Sequence, residues 1–124
     1  MKMRMVWVVL LGLGAPAWAD SARVVGVEAR QSGSSWSFAV TLEHADTGWE
    51  HYADGWGVYL EDGTELGYRV LHHPHVNEQP FTRSLGGVVI PSGTQQVQIQ
   101  ARDNLEGWAG ELVTLDLADP SYAR

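Results

Sequence analysis

Alternation of apolar and polar side chains with a period of two constrains the fold of this chain more than any other feature. From Trp36 to Leu42, large apolar residues alternate strictly with small or polar ones. Such a pattern places the apolar side chains on one face of an extended strand. Similar runs recur after turn signals rich in Gly, Pro, Ser and Asp. The predicted strands lie at 23–30, 35–42, 56–60, 66–71, 81–90, 96–101 and 113–117.

These short strands predict an all-β domain, because no segment after residue 20 repeats at a helical period. Short antiparallel strands separated by frequent turns are typical of a sandwich rather than of a βαβ fold. Asp62-Gly63 lies between two of the runs and predicts a hairpin, since Gly accepts the positive φ of a tight turn. We expect a loop at 102–110 and a frayed tail after 118. The sequence therefore predicts one antiparallel β-sandwich of about seven strands at 20–124.

The N-terminus has the layout of a secretory signal peptide. Two basic residues open the chain, the run 5–14 is almost wholly apolar, and Ala17 and Ala19 supply the small residues of a cleavage site. The apolar run is short for a membrane span, although an uncleaved anchor is the alternative. No Cys follows it, so we expect no lipid anchor. We predict a signal peptide at 1–19, a periplasmic or secreted protein, and no membrane span after signal removal.

Charge and composition exclude several classes of partner and site. The formal net charge is −7, and it becomes more negative when Lys2 and Arg4 leave with the signal. An acidic domain without a basic stripe repels phosphate groups, which argues against nucleic acid and anionic membrane surfaces. The chain has no Cys, and its three Met residues all lie in the signal. Any metal site must therefore be built from nitrogen and oxygen ligands.

Three histidines within four positions, His72, His73 and His75, are the strongest candidate ligands in the sequence. If the strand continues past Leu71, His73 and His75 project from the same face and can bind one ion. His51 is a candidate third ligand, and imidazole with carboxylate favours Zn²⁺ or Cu²⁺. The other candidates for that third position are His44, Glu78 and Asp54. The alternative interpretation is a polar loop at the end of an edge strand, with Pro74 ending the pairing.

Two further groups are candidates for recognition. Glu78, Phe81 and Arg83 form a candidate binding loop, in which the Arg83 guanidinium would meet a carboxylate; the alternative is an internal Glu78–Arg83 ion pair around a buried Phe81. Trp49 and Trp108 lie in predicted loops and are candidates for an aromatic platform that binds a sugar or a peptide. Their alternative role is to cap the loops by packing.

Acidic residues also cluster in two predicted loops, where Ca²⁺ is the conceivable ligand. Their spacing does not match an EF-hand, so we interpret them as solvated loop acids. The two groups are Asp46, Glu50 and Asp54, and Asp103 with Glu106.

Two segments resemble known proteins. The run 97–103, followed by Gly107-Trp108 and a last alternating strand, resembles the closing hairpin of bacterial immunoglobulin-like and fibronectin type III-like modules. The block 73–84, HPHVNEQPFTRS, resembles a block of small, uncharacterised exported proteins of proteobacteria. The first resemblance implies an immunoglobulin-like or fibronectin type III-like sandwich. The second implies a periplasmic location and no particular activity.

Taken together, these features predict an exported binding protein that is not an enzyme. No nucleophile elbow, phosphate-binding Gly loop or His-Glu-x-x-His helix occurs in the sequence. The leading hypothesis is binding of a divalent transition-metal ion through the His72–His75 run. The alternative is an interaction or assembly module that docks a protein of the cell envelope without a metal, by strand addition or loop contact near 72–83.

Overall fold

The computed structural model describes residues 21–124, and the predicted signal peptide at 1–19 lies outside the described residues. The described part of the chain forms two antiparallel sheets that pack face to face as a sandwich. This confirms the predicted all-β class. Its strands are β1 (Arg23–Ser32), β2 (Ser35–Glu43), β3 (Ala53–Tyr59), β4 (Glu65–Val70), β5 (Phe81–Val88), β6 (Gln96–Asp103), β7 (Gly107–Trp108), β8 (Val113–Asp116) and β9 (Ser121–Ala123).

Strand order assigns neighbouring parts of the sequence to different sheets. The first sheet has the order β5-β2-β1-β9, and the second has β4-β3-β6-β7 with β8 also paired to β6. The chain crosses between the sheets after β2, after β4, after β5 and after β8. The more specific assignment to the immunoglobulin-like or fibronectin type III-like kind remains a prediction.

The core lies between the sheets and is built from the alternating positions that the sequence pattern indicates. In β2 these are Phe38, Val40 and Leu42, and in β6 they begin at Val97 and Ile99, all of them fully buried. Trp56 of β3 is the largest fully buried side chain of the described residues. Burying such side chains contributes about 1.5–3 kcal/mol each, which allows a domain without disulfides to fold around its core.

Two predictions at the C-terminal end were wrong. The tail after 118 is not frayed in the described structure: β9 pairs with β1, and Tyr122 packs against the core. The loop expected at 102–110 contains β7, because Arg102 and Asp103 extend β6 and pair with Trp108 and Gly107. Both strands are too short for an alternating pattern to reveal them.

One turn signal predicted a hairpin that the structure contains. The hairpin at Asp62-Gly63 is confirmed: Gly63 has φ +92°, and the amide of Leu60 donates to the carbonyl of Thr64 at 2.9 Å. The strand before it ends at Tyr59, and the next one begins at Glu65.

Candidate metal centre

The end of the sandwich where β2 stops and β3 starts holds a cluster of potential metal ligands. His44 follows the last residue of β2, His51 precedes β3, and Asp103 is the last residue of β6. One ligand atom from each residue lies within 4.8 Å of the others. The cluster therefore brings together the first sheet, the second sheet and the segment that connects them.

His44 is held by a buried carboxylate. Its Nδ1 donates to Asp46 Oδ1 at 2.6 Å, and both side chains are almost completely buried. An ionised carboxylate only accepts hydrogen bonds, so Nδ1 carries a ring proton. Nε2 is the nitrogen on the side of Asp103, 3.9 Å from its Oδ2. Metal-binding histidines commonly have this arrangement, in which a carboxylate fixes the ring and makes the ligating nitrogen more basic.

Asp46 also fixes the surrounding backbone. Its Oδ1 accepts the amide of Ala53 at 3.0 Å, and its Oδ2 accepts the amide of His75 at 2.7 Å. The interpretation of Asp46 as a solvated loop acid was therefore wrong, because its carboxylate ties together three separate segments. This network positions His44 before any ion is present.

Asp103 is a fully buried carboxylate with one satisfied oxygen. Its Oδ1 accepts the amides of Leu105 at 2.9 Å and Glu106 at 2.6 Å, which shapes the turn between β6 and β7. Its Oδ2 is buried and has no hydrogen-bond partner among residues 21–124. A buried charge is costly unless it is paired or coordinates a cation. This oxygen is therefore the atom of the site that a cation would stabilise most. The interpretation of Asp103 as a solvated acid was wrong as well.

His51 completes the cluster from the more accessible side. Its Nε2 lies 3.3 Å from Asp103 Oδ1, yet this nitrogen is buried and forms no hydrogen bond of acceptable geometry with any described residue. Its ring meets His44 edge to face, with the centroids 4.7 Å apart. The His51 side chain is 19% exposed, whereas those of His44 and Asp103 are 2% and 0% exposed. An ion would therefore reach the cluster past His51.

Interatomic distances in the cluster are close to those of a metal site. A tetrahedral ion with bonds of about 2.0–2.1 Å holds neighbouring donor atoms about 3.3 Å apart. The His51 Nε2–Asp103 Oδ1 distance is 3.3 Å, and His44 Nε2 lies 3.9 Å from Asp103 Oδ2. The second distance is too long for a hydrogen bond. Two imidazoles and one carboxylate would leave a fourth position for water or another ligand.

The His72–His75 run does not lie on a strand, which was the condition for its proposed site. β4 ends at Val70, so the condition that the strand continues past Leu71 is not met. The His73 ring contacts Trp49 edge to face at 6.1 Å, whereas the His75 ring stacks on Phe81 at 3.9 Å. None of the three histidines of this run belongs to the ligand cluster found in residues 21–124. Ion binding by these residues stays a prediction.

His75 has a local role in the loop. Its Nε2 accepts a hydrogen bond from Arg83 at 2.8 Å, and its backbone amide donates to Asp46. Burial, and then the nearby Arg83 guanidinium, lower the pKa of His75. The guanidinium thus occupies one of the two ring nitrogens, and the backbone of His75 supports the cluster through Asp46.

The candidate binding loop follows its alternative interpretation. Phe81 begins β5 and is buried, and Arg83 lies within the same strand. Arg83 forms an ion pair with Glu78 at 3.6 Å and lies over the Phe81 ring at 5.6 Å. Phe81 is therefore buried, as the alternative interpretation expected, and its side chain packs in the core at the start of the strand. Recognition of a ligand by Glu78 and Arg83 stays a prediction.

The two candidate tryptophans are exposed, but they belong to different groups of rings. Trp49 is 63% exposed and packs against Tyr52 and His73. Trp108 is 43% exposed and packs against Tyr59 and Tyr68 on the second sheet. The described contacts therefore give two separate aromatic surfaces rather than one shared platform.

Sequence reasoning missed the centre of the cluster, although a signal for it exists. The buried positions of β2 have even numbers and continue in phase to His44, and those of β6 continue in phase to Asp103. His51 is in phase with Ala53, the buried first residue of β3. A polar residue on the core-facing phase at the end of a strand points into the molecule, and three such positions meet here.

Among residues 21–124, no helix is long and apolar enough to cross a membrane. Comparison with known proteins gives one informative similarity, to a protein of Halomicrobium mukohataei named "Putative lipoprotein". The two are 38% identical over 96 residues, which is 77% of this chain and 47% of the relative. The chain thus spans about half the length of that relative. No family model matches the chain, and no solved structure matches it.

Proposed function

We propose that this protein is an exported, non-catalytic binding protein that holds one divalent transition-metal ion, Zn²⁺ or Cu²⁺, through His44, His51 and Asp103. The observation that carries the proposal is the buried Asp103 Oδ2, which has no hydrogen-bond partner in the described part of the chain and lies 3.9 Å from His44 Nε2. A divalent cation at this position satisfies the oxygen and compensates the buried charge. The site replaces the one proposed from the spacing of His73 and His75.

The position of the ligands favours a stabilising role for the ion. His44 follows a strand of the first sheet, and Asp103 ends a strand of the second. An ion bound to both links the sheets at one end of the sandwich, in a chain without cysteines. Metal binding that requires the folded arrangement adds directly to the free energy of unfolding.

Export to the cell envelope is the other part of the proposal. The basic, apolar and small-residue order of the first nineteen residues is that of a signal peptide. The name of the Halomicrobium relative is in keeping with an envelope protein. Periplasmic and secreted locations both agree with these observations.

Thermal unfolding with and without metal tests the proposal. After treatment with a chelator, the protein is melted alone and with Zn²⁺, Cu²⁺, Ni²⁺, Mn²⁺ or Ca²⁺ added singly. At a free ion concentration 100 times the Kd, binding adds about 2.7 kcal/mol, which raises the Tm of a domain of this size by roughly 10 °C. We expect a rise of this order with Zn²⁺ or Cu²⁺ and none with Ca²⁺.

Two variants assign the effect to the proposed site. His51→Ala removes the most exposed ligand, so we expect the apo protein to keep its fold while the metal-dependent rise is lost. The matched control is the double variant His72→Ala/His73→Ala, which removes two exposed imidazoles outside the cluster and should keep the full rise. Loss of the rise in the control with retention in His51→Ala would move the site to the histidine run. No rise with any ion in the wild-type protein would overturn metal binding and favour the interaction module.

A further inference from the structure

The outer face of the second sheet carries a surface that metal binding does not involve. A groove of about 390 Å³ lies there, lined by Tyr59 and Trp108 together with four polar side chains. These polar residues are Glu61, Glu65, Gln98 and Gln100. None of the metal-site residues lines it, so its function can be tested independently.

Glycines of β3 allow aromatic rings to lie against this face. A Cβ at Gly57 would meet the Tyr59 hydroxyl at 2.4 Å, and a Cβ at Gly55 would meet the Tyr68 hydroxyl at 1.8 Å. The two tyrosine rings therefore lie over backbone that carries no side chain. Trp108 joins them edge to face, with ring centroids 5.9 Å from each. The result is a fixed aromatic platform beside the groove.

Trp108 is the exposed member of the platform. The Arg102 guanidinium covers its ring at 5.4 Å and is itself bonded to Asp54 at 2.8 Å. The side chain is held at this place, and 43% of the residue nevertheless remains accessible. Leu112, which also lines the groove, is 52% exposed. A rigid aromatic ring that stays accessible suits a ligand with a flat apolar face.

Three of the four polar residues of the groove are each anchored by one hydrogen bond. Gln98 Oε1 accepts from Thr114, Gln100 Nε2 donates to the carbonyl of Ala109, and Glu61 Oε2 accepts from Gln96. The second polar atom of each of these side chains has no hydrogen bond within the described residues. An amide donor, an amide acceptor and carboxylate oxygens are therefore held in place for a ligand with several hydroxyl groups.

We propose that this groove binds a neutral oligosaccharide, with a sugar ring stacked on Trp108 and its hydroxyls bonded to Gln98, Gln100 and Glu65. The C–H face of a sugar provides the flat apolar surface, and its hydroxyls both donate and accept. Glu61 and Glu65 oppose sulfated, phosphorylated or acidic sugars, because they repel negative charge. An extended cationic peptide is the competing ligand that this acidic rim allows, and the test separates the two.

The probes are five neutral oligosaccharides, namely cellohexaose, laminarihexaose, xylohexaose, mannohexaose and chitohexaose, with octalysine as the cationic peptide. Each is titrated into the protein in the presence of a chelator, with tryptophan fluorescence and calorimetry as readouts. We expect saturable binding of at least one oligosaccharide, and at least tenfold weaker binding by Trp108→Ala. Trp49→Ala is the matched control, since it removes an exposed tryptophan outside this face and should leave the affinity unchanged.

Two measurements guard against misinterpretation. Trp108→Ala should keep the cooperative thermal unfolding of the wild-type protein in chelator, which shows that the fold is intact. Glu65→Gln should change oligosaccharide affinity by less than about threefold and weaken any octalysine binding, because it keeps hydrogen-bonding atoms and removes a charge. Binding of none of the five oligosaccharides, or binding of octalysine alone, overturns the proposal and leaves the metal site unaffected.

Discussion

At the scale of single residues, Asp46 joins three parts of the chain that are separated in sequence. Its carboxylate accepts hydrogen bonds from the His44 ring and from the amides of Ala53 and His75. Each donor would be buried and unsatisfied without it, and each such loss costs about 1–3 kcal/mol. Asp46 therefore contributes to the stability of the fold as well as to the metal site.

We expect Asp46→Ala to lower the free energy of unfolding of the metal-free protein by about 3 kcal/mol, measured by urea denaturation. Asp62→Ala is the control, because the Asp62 carboxylate is exposed and its hydrogen bonds within the described residues are local ones in the same turn, chiefly to Thr64. The loss of stability should be within about 1 kcal/mol. Equal effects of the two substitutions would contradict the network described for Asp46.

His75 makes stability dependent on pH in a predictable direction. Its pKa is lowered in the folded protein, by burial and by Arg83. As the pH falls below the ordinary His pKa of about 6.5, the unfolded state binds a proton that the folded state resists, so stability present above that pH is lost. We expect the wild-type protein in chelator to lose more stability between pH 7.5 and pH 5.5 than His75→Gln does. A steeper loss in the variant would contradict the assignment.

The burial of the candidate ligands is predictable when the alternation of apolar and polar residues is extended to the end of each strand. His44 and Asp103 occupy core-facing positions one step beyond apolar residues, and that phase is visible in the sequence. Their proximity is not, because it depends on which strands pair and pack across the sandwich. The sequence predicted a site at the His72–His75 run instead, because close spacing of histidines along the chain is the simplest sequence sign of a metal site.

At the scale of elements, β3 and β4 have side chains of complementary size at neighbouring positions, in addition to their hydrogen bonds. Gly57 pairs with Tyr68, and Gly55 pairs with Val70. A Cβ at Gly55 would lie 1.8 Å from the Tyr68 hydroxyl and 2.4 Å from its Cζ. The strand pair thus depends on the absence of a side chain at this position.

We expect Gly55→Ala to cost about 1–3 kcal/mol of unfolding free energy through overpacking. Gly86→Ala is the matched control: a Cβ there meets nothing within 4 Å, and its effect should be within about 0.5 kcal/mol. In a Tyr68→Ala background the Gly55→Ala penalty should largely disappear, which a double-mutant cycle measures. A penalty that persists without the Tyr68 ring would show that the clash is not its cause.

The sequence predicted the long strands better than the short ones. Strands such as β2 and β6 have alternating runs that bury one face, so burial enforces the pattern. β7 has two residues and β9 has three, and their pairing depends on partners distant in sequence. For the same reason the end of β4 at Val70 was not evident from the apolar run that reaches Leu71.

At the scale of the whole molecule, the cluster of His44, His51 and Asp103 lies where the two sheets meet the segment that joins them. A metal ion there would connect elements distant in sequence, as a disulfide does in other small exported domains. The groove on the outer face of the second sheet, which no metal-site residue lines, is a second candidate binding site on the same fold. The proposed metal site, which would stabilise the sandwich, and the proposed ligand-binding groove thus lie in separate parts of the molecule.

The most direct test of the central claim is anomalous diffraction from crystals of the protein grown with Zn²⁺, collected on both sides of the zinc absorption edge. We expect one strong anomalous peak at the cluster. It should lie about 2.0–2.1 Å from His44 Nε2 and His51 Nε2, and about 2.0–2.2 Å from an Asp103 carboxylate oxygen. A peak at His72, His73 or His75 with none at this cluster, or no peak at all, would contradict it.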